Sequence, residues 1–298
     1  MAETETKFEL KRELPDADLE ALADRLVGFR RRFERIGQQM RLLTDLDGVR
    51  KWAEQYHGPD QALTPALGDR YPLVIFHGDV GTGKTATAEA AAAVLCQEID
   101  TEGFLLKLST RVRGVGHVGE MSTLIGDAFA EATTLAGKQR FVALIIDEGD
   151  ALAFNRGAER AHHEDRVGVN TLIQAIDDAR ALRGRLFIIL ATNRFSALDP
   201  AILRRASLFE HFERPDENER RELLSADLSG VEIGAQALDD LVAATGPHDS
   251  APGYTFSDIQ TRLLPAAVGR AYPARAFNAE DLFVALAELE PTPVMHDD

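Results

Sequence analysis

The sequence predicts an α/β protein with a parallel sheet, helices on both of its faces, and a small helical domain behind it. Three observations carry that reading. Short apolar runs alternate with helical stretches between residues 73 and 193. A glycine-rich loop, "GDVGTGKT", joins one of those runs to an alanine-rich helix. After Pro215 the apolar runs stop and only helical periodicity remains. Buried parallel strands read as continuous apolar runs because both their faces are covered.

In chain order, Asp16 to about Leu43 favours one helix, with Leu19, Leu22, Leu26, Phe29, Phe33 and Ile36 making its apolar face. Arg30, Arg31, Arg32 and Arg35 form a basic cluster on it, read as a solvated helix face. The turn-rich "HGPDQALTPALGDRYP" leads into the strand "LVIF" and the glycine-rich loop. Strand "GFLLKLS", a helix through Ala132, strand "FVALIID", a helix around Leu172 and strand "RLFIILATN" follow. "DENERRELLSADL", "AQALDDLVAAT", "FSDIQTRLLPAAVGRAY" and "NAEDLFVALAEL" read as four helices. The expected domains are an N-terminal helical segment (1–46), an α/β domain (47–214), a helical domain (215–290) and a tail (291–298).

At 298 residues and 45% hydrophobic, the chain can bury a sizeable core, and its formal charge of −16 argues against general affinity for a nucleic-acid backbone. A single cysteine, Cys96, rules out an intrachain disulfide and fits a reducing compartment. The N-terminus carries no apolar secretory core, and no run reaches the ~18 apolar residues of a membrane span. A cytoplasmic protein without membrane contact is the expectation.

The residues that carry chemistry lie at strand ends. Gly78, Gly81, Gly83, Lys84 and Thr85 match G-x-x-x-x-G-K-[ST] in full. Glycines let the backbone curl its N–H groups towards phosphate oxygens, and the following helix adds its positive end. The segment Gly78, Asp79, Val80, Gly81, Thr82, Gly83, Lys84, Thr85 and Ala86 is thus the candidate ATP-binding loop. Lys84 is suited to the terminal phosphates and the Thr85 hydroxyl to Mg²⁺. Asp147 and Glu148 end a buried apolar run, where a parallel sheet places its ligands. Asp147 is the candidate second Mg²⁺ ligand and Glu148 the group that polarises the attacking water. Asn193 ends a third run, within reach of the γ-phosphate or that water.

At these motifs the chain resembles the AAA+ ATPases. Walker A (Gly78 to Thr85), Walker B (Leu144 to Glu148), sensor 1 (Asn193) and "LDPAILRR" with "FERPDENERRELL" occur in the family's order. The resemblance implies an AAA+ P-loop core with a small helical lid, and a homohexameric ring with nucleotide between subunits. It also implies an arginine acting on the neighbour's γ-phosphate, and a pore that grips protein. Arg205 is the expected finger and Arg204 the alternative. The glycine-rich "RVRGVGHVGEM" stands where protein remodellers carry a pore loop, with His117 and Val118 at the gripping positions. "FNRGAERAHHEDRVGVN" stands at a second pore loop, and its His162 and His163 read as solvated rather than metal-binding. A sensor 2 arginine is missing from its usual place: Asp258 and Ile259 stand there, and Arg262 is the nearest arginine.

More narrowly, "FHGDVGTGKT" is similar to the HGPPGTGKT loop of the ATPases that remodel HORMA-domain proteins. "VNTLIQAID" and "RRASLFEHFERP" resemble two further segments of theirs. Residues 1–46 are shorter than the adaptor-binding domain of the eukaryotic forms, which points to the bacterial relatives of anti-phage operons. Those relatives pull a HORMA activator off a cyclic-oligonucleotide synthase. The alternatives are a chaperone of the rubisco-activase kind and, against the net charge, a nucleic-acid motor.

Overall fold

The computed structural model describes residues 7–59, 62–108, 120–153, 163–248 and 251–295. By internal contacts the chain forms two compact units. Of the described residues, the first holds those up to 77 and from 85 to 211, and the second holds 78–84 and those from 212 to 295.

The first unit is built on a six-stranded sheet. Its strands are β1 (Phe8–Leu14), β2 (Leu73–Gly78), β3 (Gly103–Leu108), β4 (Phe141–Ile146), β5 (Leu186–Thr192) and β6 (Leu208–Phe212), in the order β1-β3-β4-β5-β2-β6. β3, β4, β5 and β2 run parallel, as their apolar runs predict. All six residues of β4 and all seven of β5 are buried. Leu144, Ile146, Ile188 and Leu190 on one sheet face pack with Ile125 and Phe129 of α6 (Glu120–Ala136) and Leu172 and Ile176 of α7 (His163–Ala179). The helix after the glycine-rich loop, α5 (Lys84–Glu98), buries Ala88, Ala90, Ala91, Ala92, Ala93 and Leu95. A helix buried on nearly all sides needs small residues to lie close against its neighbours.

Several features depart from the sequence reading. The segment 1–46 is not all helical: it opens with β1, paired antiparallel to β3. Its sequence FELKREL alternates along the strand, but the outward charges mask the apolar face. The long first helix is two, α1 (Ala17–Arg25) and α2 (Phe29–Thr44), broken at Gly28, whose φ of 72° falls in the left-handed region. The arginine cluster is not uniformly solvated either. Arg32 and Arg35 both bond Glu210 of β6, and Glu210 is only 5% exposed. The turn-rich stretch that follows α3 (Leu46–His57) also holds a short helix, α4 (Leu63–Gly68).

The second unit contains the four helical segments read from the sequence. They are α9 (Glu217–Asp227), α10 (Ala235–Ala244), a π turn (258–263) running into α11 (Leu264–Ala271), and α12 (Ala279–Ala287); the four-residue α8 (Pro200–Leu203) precedes them in the first unit. Capping boxes start α9 (Asp216 with Glu219) and α12 (Asn278 with Asp281). Leu224, Leu241, Val242, Ile259, Leu263 and Leu282 form its core. Residues 291–295, expected as a tail, are bonded into this unit. Buried Asp258 accepts from the Thr292 backbone N–H (3.1 Å) and hydroxyl (2.6 Å). Among the described residues, no helix is long and apolar enough to cross a membrane.

Candidate nucleotide-binding and hydrolysis site

The glycine-rich loop curls where its glycines permit. Gly78 and Gly81 have φ of 141° and 76°. A Cβ at Gly81 would sit 2.7 Å from the Thr255 hydroxyl oxygen, so close packing also requires glycine there. The loop is cross-braced from within. Lys84, 6% exposed, donates to the carbonyls of Gly78 (2.9 Å) and Asp79 (2.6 Å), and the Thr82 hydroxyl donates to Asp79 O (2.7 Å). Gly83 has a φ of 88°, Val80 is exposed, and Ala86 lies in the first turn of α5 with only its backbone N–H to offer. The Asp79 carboxylate is bonded by Arg214 Nε (2.7 Å) and the Met295 N–H (3.2 Å).

In the first unit the parallel register sets the ends of β4, β5 and β2 on one edge. Ile146 lies opposite Leu190, and Thr192 opposite His77. Asp147 follows β4 directly and accepts from the Thr85 hydroxyl at 2.8 Å. A carboxylate and a hydroxyl in contact are hard oxygen ligands. That pair suits Mg²⁺, which takes one or two protein oxygens beside phosphates and water. Glu148 turns out of the strand with φ of 49° and donates its N–H to Asp147 Oδ1 at 2.9 Å. Asn193 is half-buried immediately after β5. Beside it, the Thr192 hydroxyl donates to Asp150 Oδ1 (2.9 Å), tying the end of β5 to the turn after β4.

The sequence reading missed a cation at this edge. Lys107 of β3 lies 3.4 Å from Asp147 Oδ2, 2.7 Å from Glu9 of β1 and 3.7 Å from Glu89 of α5. Burial lowers the pKa of its ammonium group, but the three carboxylates outweigh that and hold it above the ordinary lysine value. Burial raises the Glu89 carboxyl, with Lys107 opposing the shift. A lysine inside the apolar run "GFLLKLS" was the signal available.

Arg205 is anchored within its own chain. Its guanidinium makes a bidentate pair with Asp177 (2.6 and 2.8 Å), donates to Ala201 O (2.9 Å) and lies over the Tyr71 ring at 5.5 Å. The Asp177 hydrogen bonds raise its pKa further. Arg204 is exposed and donates only to Pro200 O (3.2 Å) among the bonds described. Asp177 closes "VNTLIQAID", so two segments that resemble one family meet in a single ion pair. Arg262 is bonded to Asp258 (2.7 Å). His117, Val118 and His162 lie outside the described residues, and His163 opens α7.

Residues 74–215 match the family described as ATPase family associated with various cellular activities (AAA). The chain is 47% identical over 286 residues to an Escherichia coli protein named CD-NTase-associated protein 6, covering 96% of each. It is similar to a chain of the E. coli MS115-1 HORMA:CdnC:Trip13 complex, with a TM-score of 0.89, 37% identity and 97% of each chain covered. A Rhizobiales Trip13 structure matches with a TM-score of 0.72 and 33% identity, covering 96% of this chain and 99% of that one. This chain therefore belongs to the AAA ATPases, in the Trip13-like group that includes CD-NTase-associated protein 6.

Proposed function

We propose that this ATPase works as a homohexameric ring that opens a HORMA-domain protein and releases it from a cyclic-oligonucleotide synthase, limiting anti-phage signalling. The observation that carries the reading is the end-to-end similarity to a chain of a HORMA:CdnC:Trip13 complex. A cytoplasmic setting accords with the single cysteine, Cys96, which is buried, its thiol pushed up to about 11 by burial, and so poorly reactive.

Each residue has a role in this reading. The loop from Gly78 to Ala86 wraps the phosphates, and Lys84 exchanges the carbonyls of Gly78 and Asp79 for β- and γ-phosphate oxygens. Thr85 and Asp147 would hold Mg²⁺, whose charge would offset the negative charge of the phosphates. Glu148 orients a water and takes its proton as the water oxygen bonds to the γ-phosphorus. The bond to the β-γ bridging oxygen breaks, leaving ADP and phosphate. Asn193 reports on the γ-phosphate from the end of β5. Arg205, aimed by Asp177, stabilises the transferring group in the neighbouring subunit, which makes the ring obligatory for turnover.

The test mixes the protein with ATP and a closed HORMA–peptide complex from the same operon, and follows peptide release. Release should need ATP. It should fail with Lys84→Ala, which loses nucleotide binding, and slow by roughly 10²–10⁴-fold with Glu148→Gln, which keeps binding. Peptide release at the wild-type rate without ATP would sink the proposal.

A further inference from the structure

The phosphate loop carries an acid where the similar HGPPGTGKT loop has its first proline. Asp79 sits one residue after Gly78, and its own carbonyl receives the Lys84 ammonium at 2.6 Å. A carboxylate on the loop that meets the phosphates repels the ligand the loop exists to hold. In this structure the charge is answered. Arg214 donates Nε to Asp79 Oδ2 at 2.7 Å and Nη1 to Gly253 O at 2.7 Å, and the Met295 N–H takes Asp79 Oδ1 at 3.2 Å. Both partners of the ion pair are largely buried, at 12% and 17% side-chain exposure. The remaining guanidinium nitrogen, Nη2, is buried with no hydrogen-bond partner among the described residues.

We propose that Arg214 is a positioning residue for nucleotide binding: it neutralises Asp79, fixes the loop at its acidic position, and so sets affinity for the polyphosphate through Asp79. A buried arginine with an unused N–H costs stability, which a residue kept only for packing has no reason to carry. The charge on Asp79 supplies the reason. Asp79 and Arg214 form one functional unit, so Asp79 without Arg214 is worse than both or neither. The inference rests on the loop binding nucleotide, and Lys84→Ala tests that separately.

The experiment measures the Kd for ADP in the full chain by fluorescence of a labelled ADP, for wild type, Asp79→Asn, Arg214→Met and the double variant. Arg214→Met should weaken ADP about tenfold or more, because it leaves a carboxylate facing two phosphates at short range. Asp79→Asn alone should stay within about threefold of wild type, as an amide brings no charge. Adding Asp79→Asn to Arg214→Met should restore affinity to within about threefold of the Asp79→Asn value, which also shows that the variant is folded. The loss in Arg214→Met should grow from AMP to ADP to ATP, because each added phosphate meets the same bare charge. Unchanged ADP affinity in Arg214→Met overturns the proposal. So does a double variant as weak as Arg214→Met, which would mean that Arg214 meets the ligand directly.

Discussion

Asp258 offers the sharpest test of how the helical unit is held. Its carboxylate is 1% exposed and accepts four donors: the Thr255 N–H (3.0 Å), the Thr292 N–H (3.1 Å), the Thr292 hydroxyl (2.6 Å) and Arg262 (2.7 Å). Burial pushes the carboxyl up, yet those donors together outweigh it and bring it down to about 2, from 3.8. That gap favours the charged form by roughly 2 kcal/mol. Asp258→Asn removes the charge and turns part of the acceptor into a donor facing donors, at about 1 kcal/mol for each lost bond. The expected cost is therefore about 3–4 kcal/mol near neutral pH. A folded pKa below the unfolded one gives stability that is full above about pH 4 and lost as pH falls towards 2. The gap between wild type and variant should thus stay constant from about pH 7 to 5 and narrow below about pH 4. Hydrogen exchange over residues 254–295, corrected for intrinsic rates, reads this unit alone, whereas the single tryptophan, Trp52, lies in the other. At neutral pH, protection should fall by about 10²–10³-fold. Protection unchanged within about threefold, or a gap that widens on acidification, would refute the account.

Two further outcomes concern the other unit. Lys107→Met removes a cation held 3.4 Å from Asp147, so Mn²⁺ in the presence of ADP should bind about three- to tenfold tighter in an electron-spin-resonance titration. Weaker or equal binding would show that Lys107 positions Asp147 rather than competing for it. Asp177→Ala cuts the bidentate anchor of Arg205 and should lower the ATPase rate of the assembled form about tenfold while leaving ADP affinity alone. Arg205→Ala should do the same, and Arg204→Ala should not. A full rate from a dilute monomer would remove the trans-acting role altogether.

The sheet's centre was legible because β2 to β5 are continuous apolar runs, and the nucleotide loop because its spacing answers directly to phosphate geometry. The edges were not. β1 and β6 interleave charged or polar residues with their apolar ones, so hydropathy alone does not separate them from loop. One left-handed glycine, Gly28, split a helix whose periodicity ran on unbroken. Around the site, motifs supplied the residues whose neighbours lie within a few positions. Pairs made by the fold stayed hidden: Lys107 with Asp147, Arg205 with Asp177, and Asp79 with Arg214, which are 135 positions apart. No local pattern couples such residues, since only the closing of the sheet or the helical unit brings them together.

The antiparallel strand β1 also decides what the sheet shows to the rest of the cell. Beyond it β3 would be a bare margin, GFLLKL, with unpaired N–H and C=O groups along an apolar segment. β1 covers that margin with a charged strand, its Lys11 and the preceding Lys7 both paired to Glu131 of α6. Charged edges discourage strand-to-strand association between molecules. A chain begun at Ala17 would keep every nucleotide-site residue and yet expose β3, leaving an edge inclined to stack. β1 thus serves colloidal stability as much as folding, and removing it is the wrong economy for anyone producing the protein.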